Sequence, residues 1–291
     1  MARIAFIGLG TMGLPMARKL LAAGHVVVPV DADRERAGLV GVSPAGTPAE
    51  AAASSDIALL SLPSPAVVEE VVLGPQGLRA GAAPGFTVAD MSTGPPALAR
   101  RLQTELAEAG IDSLDTPVSG GPRGAEDGTL TIMAGGAREG FERLRPVFEA
   151  LGSLVVHVGA AGAGQAAKLC NNLIAGATMA AVAEACAIAE EEGIAPATLY
   201  DLLTRSTGDS RVLRTRFPLA GVTDDHPSSR GFAPLFALDL MVKDLGLALE
   251  LTALHGLEAP VGTAALARYR EAQSEGLGGL DYSAVFAARR P

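Results

Sequence analysis

The sequence predicts an α/β protein with two domains, a doubly wound parallel sheet covered by helices on both faces and then an all-helical domain. Three observations support this. Short apolar runs alternate with helix-like runs through the first half of the chain, a long alanine-rich helix follows at 164–192, and no strand-like run is recognised after it. We place the domains at residues 1–162 and 163–291, joined by the long helix.

The first domain alternates strands and helices. Thr47-Pro48-Ala49-Glu50 is a capping box with proline at the first helical position, so a helix is expected to begin there. Gly24 and Gly110 follow two further helices, at a position that glycine favours. Pro29 predicts a bulge in the second strand, because proline cannot donate a ladder hydrogen bond. Strands are expected at 3–7, 26–30, 57–62, 86–91, 130–134 and 154–158, and the other helices at 11–23, 95–109 and 138–151.

The second domain is expected to contain the long helix and helices at 196–205, 234–255 and 260–275. The most apolar part of the chain, residues 160–189, includes Lys168, Asn171, Asn172 and Glu184. These polar residues argue against a membrane span, so we expect a buried or interface helix instead.

Composition excludes several classes of partner. The net charge is -9 and no run of Lys or Arg stands out, so we expect no nucleic-acid partner.

The first residues lead into a strand with no signal-peptide pattern, which favours the cytoplasm. Cys170 and Cys186 would lie about 24 Å apart on one helix and could not form a disulfide, so we expect both to be small core residues in a reducing compartment. The histidines are scattered, and no metal site is expected.

A glycine-rich turn follows the first strand. Gly8-Leu9-Gly10-Thr11-Met12-Gly13 has the G-x-G-x-x-G spacing at the opening of a helix, as in Rossmann dinucleotide sites. Free N–H groups at such a helix N-terminus bind a pyrophosphate. Asp31 ends the second strand about 20 residues later, where a carboxylate accepts hydrogen bonds from an adenosine ribose. Asp31 favours NAD over NADP, although Arg34 and Arg36 leave NADP open.

Three further segments carry polar groups suited to chemistry. Lys168, Asn171 and Asn172 share one face of the long helix, with Gly164 one turn earlier. The alternative is a lysine that extends to solvent. Residues 115–121 (Asp-Thr-Pro-Val-Ser-Gly-Gly) lie at a strand end and could hold a carboxylate, or form an ordinary turn. Lys243-Asp244 lies inside a helix and could also be an exposed charged pair.

Taken together, these segments resemble the β-hydroxyacid dehydrogenase family, and within it the 3-hydroxyisobutyrate dehydrogenase branch. The resemblance rests on four ordered motifs, which cover residues 8–17, 115–121 with 128–133, 162–172 and 243–248. It implies that Lys168 is the catalytic lysine and Asn172 its positioning partner. The remaining residues implied in the site bind substrate (Ser119, Gly120, Gly121 and Phe232) or cofactor (Gly8, Gly10, Thr11, Met12, Gly13, Asp31, Leu62, Pro63, Ser92, Thr93 and Lys243).

The same resemblance implies an oxidoreductase that transfers a hydride between NAD and a short 3-hydroxy acid, with Lys168 as general acid and base. It also implies a homodimer or homotetramer. Two alternatives stay open at this point, a tartronate semialdehyde or glyoxylate reductase and a non-catalytic dinucleotide-binding protein. The polar loop at 223–230, before Gly231-Phe232, departs from the family pattern and leaves the substrate unsettled.

Overall fold

The computed structural model describes residues 1–288 and divides into two compact units. One unit spans Met1–Lys168 and contains the sheet, and the second begins at Leu169 and is mostly helical. The expected α/β fold class with a helical second part is therefore confirmed.

The first unit is built on one eight-stranded sheet with the order β2-β1-β3-β4-β5-β7-β6, in which β8 also pairs with β7. Strands β1 to β5 are parallel. Strand β7 runs antiparallel to β5 and β6, and β8 runs parallel to β7, a reversal that the hydrophobic pattern does not predict. The strands are β1 (Arg3–Ile7), β2 (Val26–Val30), β3 (Ile57–Leu60), β4 (Thr87–Asp90), β5 (Asp112–Asp115), β6 (Val118–Ser119), β7 (Leu130–Gly135) and β8 (Gly152–Gly159).

Helices cover both faces of this sheet, and alternate residues of β1 pack against the helices on opposite faces. Ile4 and Phe6 pack into one apolar cluster, while Ala5 and Ile7 pack into another on the opposite face. The chain leaves β1 for β2 on one side and continues to β3 on the other, so the end of β1 lies at the switch point where open sheets bind ligands. The helices are α1 (Gly13–Ala22), α2 (Arg34–Gly38), α3 (Pro48–Ala53), α4 (Pro65–Leu73), α5 (Leu78–Gly81), α6 (Pro96–Ala107), α7 (Gly121–Asp127) and α8 (Arg138–Glu149).

The long helix α9 (Ala163–Glu191) begins in the first unit and continues into the second. The core of the second unit is apolar, and the fully buried Tyr269 donates its hydroxyl to the Gly176 carbonyl of α9 at 3.2 Å. Within the described part of this unit no strand is formed, only an isolated bridge between Ala237 and Asp281. The other helices are α10 (Pro196–Thr204), α11 (Arg211–Arg216), α12 (Leu238–Leu254) and α13 (Pro260–Ala272), with single turns at Pro227–Arg230, Gln273–Leu277 and Tyr282–Phe286.

Two expectations from the sequence are wrong. Strand β2 has no bulge, since it pairs with β1 in unbroken register. It is the edge strand of the sheet, so only one of its sides pairs with another strand. Pro29 directs its carbonyl to the outer side, where it accepts from Ala45 N–H, so its missing donor removes no ladder bond. Cys170 is not a core residue but is exposed, whereas Cys186 is buried, and burial raises the pKa of the Cys186 thiol to about 12.

Helix α9 is long and apolar enough to cross a membrane by length and composition, with a mean hydropathy of 1.5 over its most apolar stretch. Three of its polar side chains are nevertheless buried inside the protein. Gln165, Lys168 and Asn172 are 1%, 6% and 4% exposed, respectively. Such buried polar groups are typical of a core helix, because lipid would leave them without partners.

Candidate active site

Of the three glycines in the glycine-rich turn, the fold requires two and leaves open space at the third. A Cβ on Gly8, whose φ is +90°, would lie 2.3 Å from the Ser61 carbonyl oxygen, and a Cβ on Gly13 would lie 1.9 Å from that of Gly8. A Cβ on Gly10 would meet no protein atom within 4 Å. Protein packing therefore explains Gly8 and Gly13, whereas the open space over Gly10 suits a ligand that approaches the backbone.

Asp31 is tied to the glycine-rich turn. Its Oδ2 accepts from Leu9 N–H at 2.7 Å, and its Oδ1 accepts from Asp33 N–H at 2.9 Å. Each carboxylate oxygen keeps a second lone pair for another donor. The guanidinium of Arg36 lies 4.0 Å from Oδ1. The turn and Arg36 also line an open groove of about 750 Å³ that continues along α1. These features fit the ribose and pyrophosphate of a dinucleotide.

Leu62 and Ser92, two more of the residues expected to contact the cofactor, are hydrogen-bonded to each other. The hydroxyl of Ser92, just after β4, accepts from Leu62 N–H at 2.9 Å. Ser92 N–H donates to Asp90 Oδ1, also at 2.9 Å. The segments after β3 and β4, which include Pro63 and Thr93, therefore lie side by side at the same edge of the sheet as the glycine-rich turn.

The start of α9 is fixed to the ends of β4 and β5. Gly162 N–H and Gln165 N–H donate to the two carboxylate oxygens of Asp115, at 2.7 and 2.8 Å. The side-chain amide of Gln165 donates to the Ser92 carbonyl and accepts from Gly94 N–H, both at 2.9 Å. Burial raises the pKa of Asp115, and the hydrogen bonds from the backbone oppose that rise.

Gln165 is not among the site residues predicted from the sequence, and no role is predicted for Asp115. A signal for Gln165 was present, since it lies three residues before Lys168 and therefore on the same helix face. The role of Asp115 depends on which strand end the helix meets, and no local pattern carries that information.

Lys168 is buried, with 6% of its surface exposed, so it does not extend into solvent. Asn172 follows one helical turn later and is 4% exposed. Its Oδ1 accepts from the side chain of Asn171 at 2.9 Å, and its Nδ2 donates to Asp244 Oδ2 at 2.5 Å. The ammonium of Lys243 lies 3.2 Å from Asp244 Oδ1.

Asp244 is 1% exposed, so Lys243-Asp244 is not the exposed charged pair that the sequence left open. Lys243, Asp244 and the two asparagines form one polar chain between α12 and α9 in the second unit. Among these four residues, Lys243 and Asn172 have site roles implied by the family resemblance.

The segment predicted to bind the substrate ends β6 and begins α7. Ser119 pairs with Thr131 on β7, and Gly120 and Gly121 follow with φ of +138° and +67°. A Cβ on Gly120 would lie 3.0 Å from the side chain of Leu130. The positive φ values therefore favour glycine at both positions, and the Ser119 hydroxyl lies at the start of this turn.

Phe232 belongs to the second unit and has a left-handed backbone, with φ of 58° directly after Gly231 at 59°. Its N–H donates to the Pro227 carbonyl at 2.7 Å, and its carbonyl accepts from Asp281 N–H at 2.8 Å. Such a conformation costs a bulky residue about 1–3 kcal/mol. Strain of this kind is concentrated at ligand-binding positions.

No group of three or more possible metal ligands occurs among residues 1–288. The polar side chains described above are amides, hydroxyls, lysines and carboxylates held by hydrogen bonds. The chemistry that they offer is anion binding and proton transfer.

Comparison with known proteins gives two matches to family models that together span nearly the whole chain. The NAD binding domain of 6-phosphogluconate dehydrogenase matches residues 3–159. The NAD-binding domain of NADP-dependent 3-hydroxyisobutyrate dehydrogenase matches residues 162–288. The two matches meet near the start of α9.

Full-length relatives agree with these matches. An NAD-dependent L-serine dehydrogenase of Pseudomonas aeruginosa is 41% identical over 98% of this chain and 97% of its own length. A 3-hydroxyisobutyrate dehydrogenase from the same organism is also 41% identical, with the same coverage of both chains. Among solved structures, the 3-hydroxyisobutyrate dehydrogenase of Mycobacterium tuberculosis with L-serine superposes with a TM-score of 0.91, at 38% identity over all of both chains.

Proposed function

Because this chain belongs to the β-hydroxyacid dehydrogenase family and is an NAD(P)-dependent hydroxyacid dehydrogenase, we propose that its substrate is a short 3-hydroxy acid. The observation that carries the proposal is the placement of Lys168. It is buried within two turns of a helix start that is hydrogen-bonded to the Ser92–Gly94 segment, where the nicotinamide is expected.

The substrates named for two relatives share one chemical frame. L-Serine and 3-hydroxyisobutyrate both have a carboxylate, a substituted C2 and a primary alcohol at C3. They differ in the C2 substituent, which is an ammonium in one and a methyl group in the other. We therefore define the substrate class by the carboxylate and the C3 alcohol, and treat the C2 substituent as the property to be measured.

Each chemical task has a candidate residue. The Ser119 hydroxyl and the N–H groups of Gly120 and Gly121 bind the substrate carboxylate, and Phe232 lines the substrate pocket. Lys168 Nζ takes the hydroxyl proton during oxidation and returns it during reduction. Asn172 positions the reacting alcohol. Bound NAD supplies the hydride acceptor.

The cofactor is held by the glycine-rich turn, with its adenosine ribose on Asp31. The lone pairs that remain on the Asp31 carboxylate suit the two ribose hydroxyls, whereas its charge repels a 2′-phosphate. We therefore propose NAD as the preferred cofactor, with weaker use of NADP through Arg36. Thr11, Met12, Leu62, Pro63, Thr93 and Lys243 complete the proposed cofactor contacts.

The alternative within the class is a reductase of tartronate semialdehyde or glyoxylate. The same residues would serve it, because Lys168 can donate a proton to a carbonyl as well as remove one from an alcohol. What separates the two is the carbon skeleton and the direction that the enzyme favours.

The test is NADH formation at mildly alkaline pH with 3-hydroxyisobutyrate, L-serine, 3-hydroxypropionate, glycerate, 4-hydroxybutyrate and threonate, each with NAD and with NADP. Reduction of tartronate semialdehyde and glyoxylate is measured in parallel. We expect the highest kcat/KM for a 3-hydroxy acid with NAD. Activity confined to the two aldehydes would replace this proposal with the alternative.

We further propose that the chain forms a cytoplasmic homodimer or homotetramer through α9. Ile174 and Ile188 are 68% and 66% exposed, and they lie four helical turns apart on one face with Ala181 and Ala185 between them. Light scattering on the wild type and on Ile174→Glu/Ile188→Glu tests this, because the two charges would dissociate the oligomer.

A further inference from the structure

Gln165 links the start of α9 to two other segments of the first unit. Its backbone N–H caps the helix on Asp115, and its side-chain amide reaches the segment after β4. It is 1% exposed, so water cannot replace either side-chain partner. Lys168 follows three residues later on the same helix.

The two side-chain bonds have the geometry of strand pairing. The Ser92 carbonyl and Gly94 N–H are two residues apart, and a single amide satisfies both, as one residue does across a parallel ladder. This pattern requires one donor and one acceptor. Glutamine provides both, a carboxylate provides two acceptors, and leucine provides neither.

We propose that Gln165 is a positioning residue for hydride and proton transfer, which fixes the turn that carries Lys168 against the segment that contacts the nicotinamide. The expected effect on the rate of turnover rests on the proposed function, in which Lys168 transfers the proton. The other consequence of the inference, the ordering of the nicotinamide half of the cofactor, does not depend on the identity of the substrate.

The first experiment compares wild type with Gln165→Leu, which keeps the volume and removes both side-chain bonds. With 3-hydroxyisobutyrate and L-serine as substrates we expect kcat to fall about 10²-fold, the loss typical of a small misplacement. The primary deuterium isotope effect on kcat, measured with substrate labelled at C3, should rise because the chemical step becomes slower. Gln273→Leu is the matched control, since it removes an exposed amide bond to Asp239 and should leave kcat unchanged.

The second experiment measures binding without turnover. NADH and ADP-ribose share the adenosine and pyrophosphate, but only NADH carries the nicotinamide. In Gln165→Leu we expect the Kd of NADH to rise about tenfold, equivalent to one lost hydrogen bond, and the Kd of ADP-ribose to stay within twofold of wild type. Equal weakening of both ligands would mean that Gln165 only supports the fold.

Gln165→Glu provides a rescue that a purely structural role would not produce. When the introduced carboxyl is protonated, its hydroxyl can donate to the Ser92 carbonyl and its carbonyl oxygen can accept from Gly94 N–H. We therefore expect the ratio of its kcat to that of wild type to rise as the pH falls. This measurement tests the inference even if Gln165→Leu does not fold. A ratio independent of pH, or a Gln165→Leu enzyme with kcat within twofold of wild type, would overturn the inference. If wild type is inactive on both hydroxy acids, the proposed function fails, and the comparison of NADH with ADP-ribose still tests Gln165.

Discussion

The side-chain amide of Asn172 on α9 donates a 2.5 Å hydrogen bond to the buried carboxylate of Asp244 on α12. This bond fixes the orientation of the amide, because its nitrogen is directed at Asp244 and its oxygen at Asn171. The ammonium of Lys243 lies against the other oxygen of Asp244. A residue proposed for the cofactor and one proposed for the substrate are thus connected through one carboxylate.

Asp244→Ala should therefore lower both stability and turnover. The amide of Asn172 would lose a buried acceptor, which reduces the free energy of unfolding by about 1–3 kcal/mol. We expect kcat to fall at least tenfold, because Asn172 would no longer be held in one orientation. Urea denaturation and steady-state kinetics measure the two effects. Asp239→Ala on the same helix is the control, and an equal fall in kcat for that exposed position would contradict the interpretation.

Lys168→Met should remove proton transfer and leave the cofactor site intact. General acid–base catalysis contributes about 10²–10⁴-fold, so kcat should fall by at least that range. The Kd of NADH should change less than twofold. Arg205→Met is the matched control, since it removes an exposed cation that pairs with Asp201 in the second unit. A Lys168→Met enzyme with near-wild-type kcat would exclude Lys168 as the acid and base.

Much of the architecture could be predicted because its signals are local. The strand–glycine–helix unit at residues 3–22 and the Thr47 cap are defined by neighbouring residues, and β2 was predicted at its observed bounds. The reversal of β7 and β8 and the placement of Pro29 at a sheet edge depend on how distant strands pair. Gln165 and Asp115 were missed for the same reason, since their partners lie 47 or more residues away in the sequence.

Gly10→Ala should weaken cofactor binding without destabilising the protein. The added methyl group meets no protein atom within 4 Å, and the φ of Gly10 is not in the left-handed region. We expect the free energy of unfolding to stay equal or rise by up to about 1 kcal/mol. The Kd of NADH should increase at least tenfold, because the methyl group occupies space over the turn.

Gly13→Ala is the contrasting variant, since its methyl group would lie 1.9 Å from the Gly8 carbonyl oxygen. It should lower the melting temperature, whereas Gly10→Ala should not. If Gly10→Ala bound NADH as wild type does, the dinucleotide would not approach this part of the backbone.

Asp31→Asn should shift the cofactor preference toward NADP. The variant removes the negative charge that opposes a 2′-phosphate and keeps Arg36 within reach of it. We expect the ratio of kcat/KM for NADP to that for NAD to rise at least tenfold. Glu149→Gln changes the net charge equally at an exposed position at the end of α8. An equal shift in that control would show that general charge, rather than ribose binding, sets the preference.

Asp115→Asn should change the pH dependence of stability. Burial raises the pKa of Asp115 above its ordinary value of 3.8, so the folded protein holds this proton more tightly than the unfolded chain does. Between 3.8 and the higher folded pKa, the unfolded chain has lost the proton while the folded protein keeps it. The contribution of Asp115 to the free energy of unfolding therefore decreases as the pH rises through this window.

Urea denaturation of wild type and Asp115→Asn at closely spaced pH values above 4 measures this contribution. The variant should lack the decrease with rising pH, although it is less stable overall because an amide cannot accept from both Gly162 and Gln165 N–H. Asp224→Asn, at an exposed position, should retain the wild-type slope. Parallel curves for wild type and Asp115→Asn would mean that the carboxylate capping α9 keeps its ordinary pKa despite its burial.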